Sequence, residues 1–168
     1  MDAHIRPFNS EDIPEIVAAF TELGWHKPAS QYELYLAEQG LRLRDVYVTF
    51  FKGQFAGYLT ICWKSDYEPF RDANIPEITD FNVLPKFRRL GIGTQLMDKA
   101  EAEIARVSSI AGIGVGMTAD YGAAQRLYIL RGYVPDGRGL YSKGHPVQYS
   151  QEIKVDDDLV LYFTKKLK

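Results

Sequence analysis

The chain has 168 residues, of which 46% are hydrophobic and 25% charged, a composition suited to one compact domain with its own core. Its formal charge of −2 excludes the broad basic surface that nucleic-acid binding needs, so any anion site must be local. Cys62 is the single cysteine, which excludes an internal disulfide and argues against a cysteine-based metal site; in the apolar run 57–63 it reads as a buried filler.

In chain order, Met1–Pro7 lacks an apolar signal-peptide region, and no apolar run nears about 18 residues. No membrane partner is therefore expected, and the cytoplasm is the expected compartment. A short strand at 4–6 precedes Ser10, a candidate N-cap, and a helix with Ile13, Ile16, Val17 and Phe20 on one face that fades near Gly24. Ser30 and Glu33 have capping-box spacing for a second helix reaching Gln39, with Gly40 as its stop. Residues 45–51 and 55–63 flank a glycine turn and predict a β-hairpin. A loop with Pro69 and Pro76 leads to a strand over 77–84, stopped by Pro85. Helical spacing over 94–107, a strand over 113–117, a helix over 123–131, a strand from Tyr133 and a last strand over 159–164 complete the pattern. The order β-α-α-β-β-β-α-β-α-β-β predicts a mixed α/β (α+β) fold spanning 1–168 as one domain. It should have a mostly antiparallel sheet of about seven strands flanked by about four helices.

The chemistry concentrates in Asn82-Val-Leu-Pro-Lys-Phe-Arg-Arg-Leu-Gly-Ile-Gly-Thr94. A strand ends at a proline, a basic loop follows, and two glycines one residue apart open a long helix. Glycines permit a tight turn and close approach of a ligand, and free N–H groups at a helix start attract anions. Arg88 and Arg89 add charge. Taken alone, the pattern serves either a polyanion or a plain tight turn beside a solvated basic loop. A nucleotide-phosphate loop of the Gly-x-x-x-x-Gly-Lys-Ser/Thr type is absent. Gly112, Gly114 and Gly116 alternate with Ile113, Val115 and Met117, leaving a bare strand face open to a ligand or a helix; no helix start follows at the spacing of a dinucleotide loop.

Arg88-Arg-Leu-Gly-Ile-Gly93, introduced by Val83-Leu-Pro85, resembles the Arg/Gln-x-x-Gly-x-Gly/Ala motif of the GNAT superfamily of acyltransferases. Downstream, Ala124-Gln-Arg-Leu-Tyr-Ile-Leu-Arg-Gly-Tyr133 is similar to that family's Ala-x-x-Leu-Tyr-x-x-x-Gly-Phe segment. The resemblance is strongest over 77–134, and the N-terminal part matches in element pattern. It implies an N-acetyltransferase that uses acetyl-CoA (coenzyme A) as co-substrate, with no metal. The amides of Arg88, Arg89, Leu90, Gly91, Ile92, Gly93 and Thr94 would hold the pyrophosphate. The strand segment Phe81, Asn82, Val83 and Leu84 would pair with the pantetheine arm as an added strand. Ala124 and Tyr121 fall on the cofactor side of the second motif, although many relatives carry asparagine at the position of Tyr121.

An amine with an ordinary pKa of about 10.4 must lose a proton before it attacks. Glu77, eleven residues before Arg88, sits where some members of the family keep a glutamate base. It is preferred to Asp80, and either carboxylate also suits an ion pair. Ideal alternation groups Glu77 with Thr79, Phe81 and Val83, and Asp80 with Ile78 and Asn82. A strand N–H near Val83 would serve the oxyanion. Tyr128 matches the tyrosine that protonates the departing thiolate, or else is a packed aromatic. The acceptor, a small-molecule or peptide amine, is expected among Trp25, His26, Lys27, Pro28, Tyr32, Tyr35, Trp63, Asp66, Tyr67, Tyr141, His145 and Tyr149, aromatic and acidic groups that suit a cation. Asp156–Asp158 reads as a polar turn. A homodimer through the terminal strands, and a coenzyme-A-binding module without turnover, stay open as alternatives.

Overall fold

The computed structural model describes residues 3–167. The chain forms two compact units, both discontinuous in sequence: Met1–Trp63 with Thr79–Ala102, and Lys64–Ile78 with Glu103–Lys168. Among the described residues it has eight strands and five α-helices, against the seven and four expected, and its class is mixed α/β. No helix among them is long and apolar enough to cross a membrane.

In the first unit, β1 (Ala3–Pro7), β2 (Arg44–Phe51), β3 (Gln54–Cys62) and β4 (Glu77–Val83) lie side by side in that order, with β1–β2 and β2–β3 antiparallel. Helices α1 (Ile13–Glu22) and α2 (Ala29–Gly40) fall between β1 and β2. Ile16, Phe20 and Tyr32 are buried on the face of the sheet that carries Val46, Val48 and Tyr58, while Tyr47, Leu59 and Ile61 are buried on the opposite face.

Two expected caps are corrected. Asn9, not Ser10, caps the first helical turn: its side chain accepts the Glu11 N–H at 2.9 Å, and the Asp12 carboxylate accepts the Asn9 N–H at 2.9 Å. Arg6 grips that carboxylate at 2.6 and 2.8 Å, so residues 10–12 form a 3₁₀ turn and α1 starts at Ile13. The Ser30–Glu33 box does not form. Pro28 is the cap of α2, already extended at φ −72°, ψ 157°, and its carbonyl accepts the Gln31 N–H at 3.1 Å.

In the second unit the order from β4 is β4, β5 (Ile110–Gly116), β8 (Leu159–Lys166), β6 (Val134–Ser142) and β7 (His145–Pro146). The β4–β5 pairing is parallel and the others are antiparallel. The bare face of β5 is filled by aromatic rings. A Cβ at Gly112 would meet Phe70 at 2.3 Å, one at Gly114 would meet Tyr162 at 2.9 Å, and one at Gly116 would meet Tyr121 at 2.5 Å. Phe70 comes from α3 (Glu68–Asp72), a short helix in what reads as a loop. Pro69 in its first turn, taken as a loop marker, is a residue that starts helices well.

Helix α4 (Ile92–Ile104) starts two residues earlier than expected and ends three earlier, because buried Ile92 anchors its first turn while Val107 is 71% exposed. Helix α5 (Gly122–Leu130) buries Tyr128.

Candidate active site

The phosphate motif lies in the first unit. After β4, Leu84 is buried and Pro85–Phe87 make a 3₁₀ turn that buries Phe87. With buried Ile92 on the far side, these apolar anchors hold the segment 88–91, whose Arg88, Arg89 and Gly91 are exposed. Arg89 (φ 61°) and Gly91 (φ 78°) are left-handed on either side of Leu90. Left-handed residues within such a turn aim successive N–H groups to one side and form a concave anion nest. The N–H of Gln95 closes the first helical bond on Gly91 O at 3.0 Å, so those of Ile92, Gly93 and Thr94 have no acceptor inside the helix. Gly93 packs on β4, where a Cβ would sit 3.2 Å from the Phe81 ring. Arg88 Nε donates to Val83 O at 3.1 Å and ties the loop to the strand end. This cradle of peptide N–H groups beside two exposed guanidinium groups fits a diphosphate.

Strand β4 supplies a second feature. Its pairing with β5 is confined, among the described residues, to Glu77 and Ile78. The peptide groups of Thr79–Val83 on that side are thus outside the β5 ladder, while on the other side Leu84 N–H reaches Ala56 O at 2.9 Å. Asp80 has φ 47°, a left-handed residue inside a strand and a local break in the pleat. Aspartate tolerates this conformation better than most residues.

The side chain of Asp80 is the hub of a polar cluster. Oδ1 accepts from Lys27 Nζ at 2.8 Å and from Asn82 Nδ2 at 2.8 Å; Oδ2 accepts from Gln31 Nε2 and Tyr35 OH at 2.9 Å each, and from Tyr58 OH. Burial pushes its carboxyl pKa up, but the charge and hydrogen bond of Lys27, with the hydrogen bonds of Tyr58 and Tyr35, outweigh burial and leave it below the ordinary value. Burial first, and then the Asp80 charge, raises the Tyr35 and Tyr58 phenols, so both stay protonated donors. Arg44 lies with its guanidinium 4.4 Å from the Tyr35 ring centre and donates to Thr79 Oγ1 at 2.9 Å.

The second unit holds Glu77, Tyr121, Ala124 and Tyr128. Glu77 is buried opposite Gly112 on β5, and its carboxylate accepts the Ser65 hydroxyl, which itself accepts the Tyr67 N–H at 3.0 Å. Tyr128 is 5% exposed, with its ring 6.1 Å from that of Tyr133. Burial, with a smaller influence from Tyr121, raises its phenol above the ordinary value and keeps it protonated. Tyr121 packs over Gly116 and donates to Asp157 at 2.9 Å, while Ala124 is half-buried on α5.

The expected acceptor residues divide between the units. Trp25 stacks on Phe20 with ring centres 5.8 Å apart, Tyr32 and Tyr35 join the Asp80 cluster, and His26 is exposed. In the second unit Tyr67 is buried against Tyr162, with ring centres 3.6 Å apart, and donates to Asp136 at 2.7 Å. Tyr141 and His145 line a cleft of about 540 Å³ with Glu68, Asp72 and Arg138. Tyr149 is fully exposed, Asp66 is exposed and Trp63 half-buried. The Asp156–Asp158 segment is a turn, with Asp158 N–H on Asp156 Oδ1 at 3.0 Å. Sequence reasoning missed Gln31, Tyr58 and Ser65; no local spacing marks them, since Tyr58 and Asp80 are 22 residues apart. Among the described residues no group of three or more His, Cys, Asp or Glu is placed to hold a metal ion.

Comparison with known proteins bears on the whole chain. No curated protein sequence matches it. An N-acetyltransferase from Staphylococcus aureus Mu50 has a similar structure, at a TM-score of 0.72 with 18% identity and 100% of both chains covered. Ard1 from Thermoplasma volcanium aligns at 0.71 with 20% identity, over 99% of this chain and 98% of that one. The structure of yncA from Salmonella typhimurium, which contains its cofactor acetyl-CoA, aligns at 0.69 with 16% identity, over 100% and 95%. At these identities the likeness is one of fold. The model of the acetyltransferase (GNAT) family matches residues 11–133, most of the sequence and both of its motifs, and the chain belongs to that family.

Proposed function

We propose that the chain is an acetyl-CoA-dependent N-acetyltransferase, one domain over 1–168, that acts in the cytoplasm on a primary amine of a small molecule or peptide. The observation that carries this reading is the N–H nest at Arg89–Thr94 beside β4, a strand whose peptide groups from Thr79 to Val83 lie outside the β5 ladder; the Arg88 N–H, expected in the nest, is taken by Pro85 O at 3.2 Å, so Arg88 adds only its guanidinium. When bound, acetyl-CoA supplies an acyl group activated as a thioester. The residues Arg88, Arg89, Leu90, Gly91, Ile92, Gly93 and Thr94 would hold the diphosphate, the strand segment Phe81–Val83 would orient the arm, and an N–H near Val83 would serve the acyl oxygen.

An alkylammonium of pKa about 10.4 needs a proton acceptor before nitrogen is nucleophilic. Asp80 is committed to five donors and has a lowered proton affinity, which supports Glu77, directly or through water, in that role. Tyr128, kept protonated by burial, is the donor to the leaving sulfur, whose ordinary pKa of about 8.5 makes the demand mild. Tyr121 and Ala124 flank the arm more weakly, since the Tyr121 hydroxyl is engaged by Asp157.

The test is calorimetry with coenzyme A, followed by an amine-library assay for thiol release. Binding with transfer supports the reading. Binding without transfer to any amine identifies a coenzyme A-binding module, and no binding removes the assignment.

A further inference from the structure

Lys27 is the one acceptor candidate whose ammonium the first unit places beside β4. Its backbone is fixed: Trp25 N–H bonds Phe20 O at 2.9 Å, Lys27 N–H bonds Trp25 O at 3.1 Å, and Pro28 opens α2 directly afterwards. The side chain is only 17% exposed. Its Nζ donates to Asp80 Oδ1 at 2.8 Å and to Tyr58 OH at 3.1 Å, and lies 5.4 and 5.7 Å from the ring centres of Phe20 and Tyr58. A carboxylate with two ring faces is a seat for an alkylammonium. Here the protein's own lysine sits in it.

The seat adjoins β4 at Asp80. A thioester arm held at the Arg89–Thr94 turn and running back along β4 would pass Val83, Asn82 and Phe81 in turn. The next residue is Asp80, where the pleat breaks. We propose that Lys27 is an internal acyl acceptor, acetylated on Nζ in cis by the chain's own bound acetyl-CoA; this rests on the acetyltransferase reading above. Lys27 Nζ loses one proton to water, because Asp80 is a weak proton acceptor. Its lone pair then forms the C–N bond, the C–S bond breaks with its electron pair on sulfur, and the second Nζ proton ends on that sulfur, so that coenzyme A leaves as the thiol as the amide forms. The balance is lysine ammonium plus acetyl-CoA giving acetyl-lysine, coenzyme A and one proton. A seated amine reacts without a bimolecular encounter. The product is neutral, so Asp80 keeps its phenol and amide donors but loses its counter-charge.

The experiment incubates the full chain with isotope-labelled acetyl-CoA and no added amine, and then maps acetyl groups by peptide mass spectrometry. Label at Lys27 is expected to exceed that at exposed Lys86 by at least about 10-fold and to fall when excess coenzyme A competes. In Lys27→Arg, whose guanidinium keeps a cation on Asp80, that peptide should carry none. Calorimetry on the same samples separates the two ways of failing. If coenzyme A binds and Lys27 gains no more label than Lys86, or competition has no effect, the inference is overturned and the parent reading stands. If coenzyme A does not bind, both fall.

Discussion

At the residue scale, Tyr128 and Asp80 make opposite predictions. Tyr128→Phe removes one hydroxyl from a buried ring, and kcat is expected to drop about 100-fold, the usual worth of a placed proton donor, with coenzyme A affinity unchanged by calorimetry. Asp80→Asn should act on stability instead. It leaves Lys27 with its charge but without a counter-ion at a site 17–18% exposed, and breaking such a pair costs about 3 kcal/mol, readable in urea unfolding at pH 7. The pH dependence follows from the lowered Asp80 pKa. A carboxyl depressed in the folded state contributes stability above its unfolded value of about 3.9 and loses it as pH falls through the folded value. The wild-type chain should therefore destabilise more steeply than Asp80→Asn below about pH 4. Gly91→Ala tests the nest. Its Cβ meets open space, with nothing nearer than the Gln95 side chain at 4.0 Å, so the cost is the left-handed backbone alone, about 1 kcal/mol. Any larger loss of coenzyme A binding would report the turn's role in holding a ligand.

At the element scale, β5 shows how three small residues admit large neighbours. Gly112→Ala places a methyl group 2.3 Å from the Phe70 ring, and the resulting overpacking should cost about 1–3 kcal/mol. Phe70→Leu in the same chain should recover part of that loss, a coupling readable in a double-mutant cycle of unfolding energies. The elements themselves were largely legible, because helical spacing reports the buried face of α1, and the unbroken β-branched and aromatic runs of β2 and β3 mark strands buried on both faces. Helix α3 was hidden by its length of five residues, too short for a period to show. The first cap differs from the expectation because Arg6 selects Asp12, an ion pair that composition at the helix start does not display, and the second because Pro28 is already extended one residue before α2. The diphosphate cradle was visible in Arg89–Thr94 since local backbone chemistry builds it. Alternation also put Asp80 and Asn82 on one face, and they share a hydrogen bond. What alternation hid was the Asp80 cluster, which joins Lys27 to a strand 53 residues away and is visible only once the chain is folded.

At the scale of the whole molecule, six tyrosines, the buried Tyr32, Tyr58, Tyr67 and Tyr128 and the half-buried Tyr35 and Tyr162, have phenols raised above the ordinary value, each chiefly by desolvation. For an acid whose folded pKa is raised, the unfolded chain gives up its proton first. The stability this reflects is complete below the unfolded value of about 10 and declines as pH rises beyond it. Thermal unfolding should therefore shift to sharply lower temperature above about pH 10, while a tyrosine absorbance titration of the folded protein stays silent there for these six rings. The same aromatic wealth constrains how the chain can drift over generations. At Gly112, Gly114 and Gly116 the backbone has been surrendered to side chains from elsewhere in the second unit. At Gly112 and Gly116 a ring that shrinks first opens room for its glycine to grow, whereas a glycine that grows first carries the overpacking cost, so one order of steps is the easier.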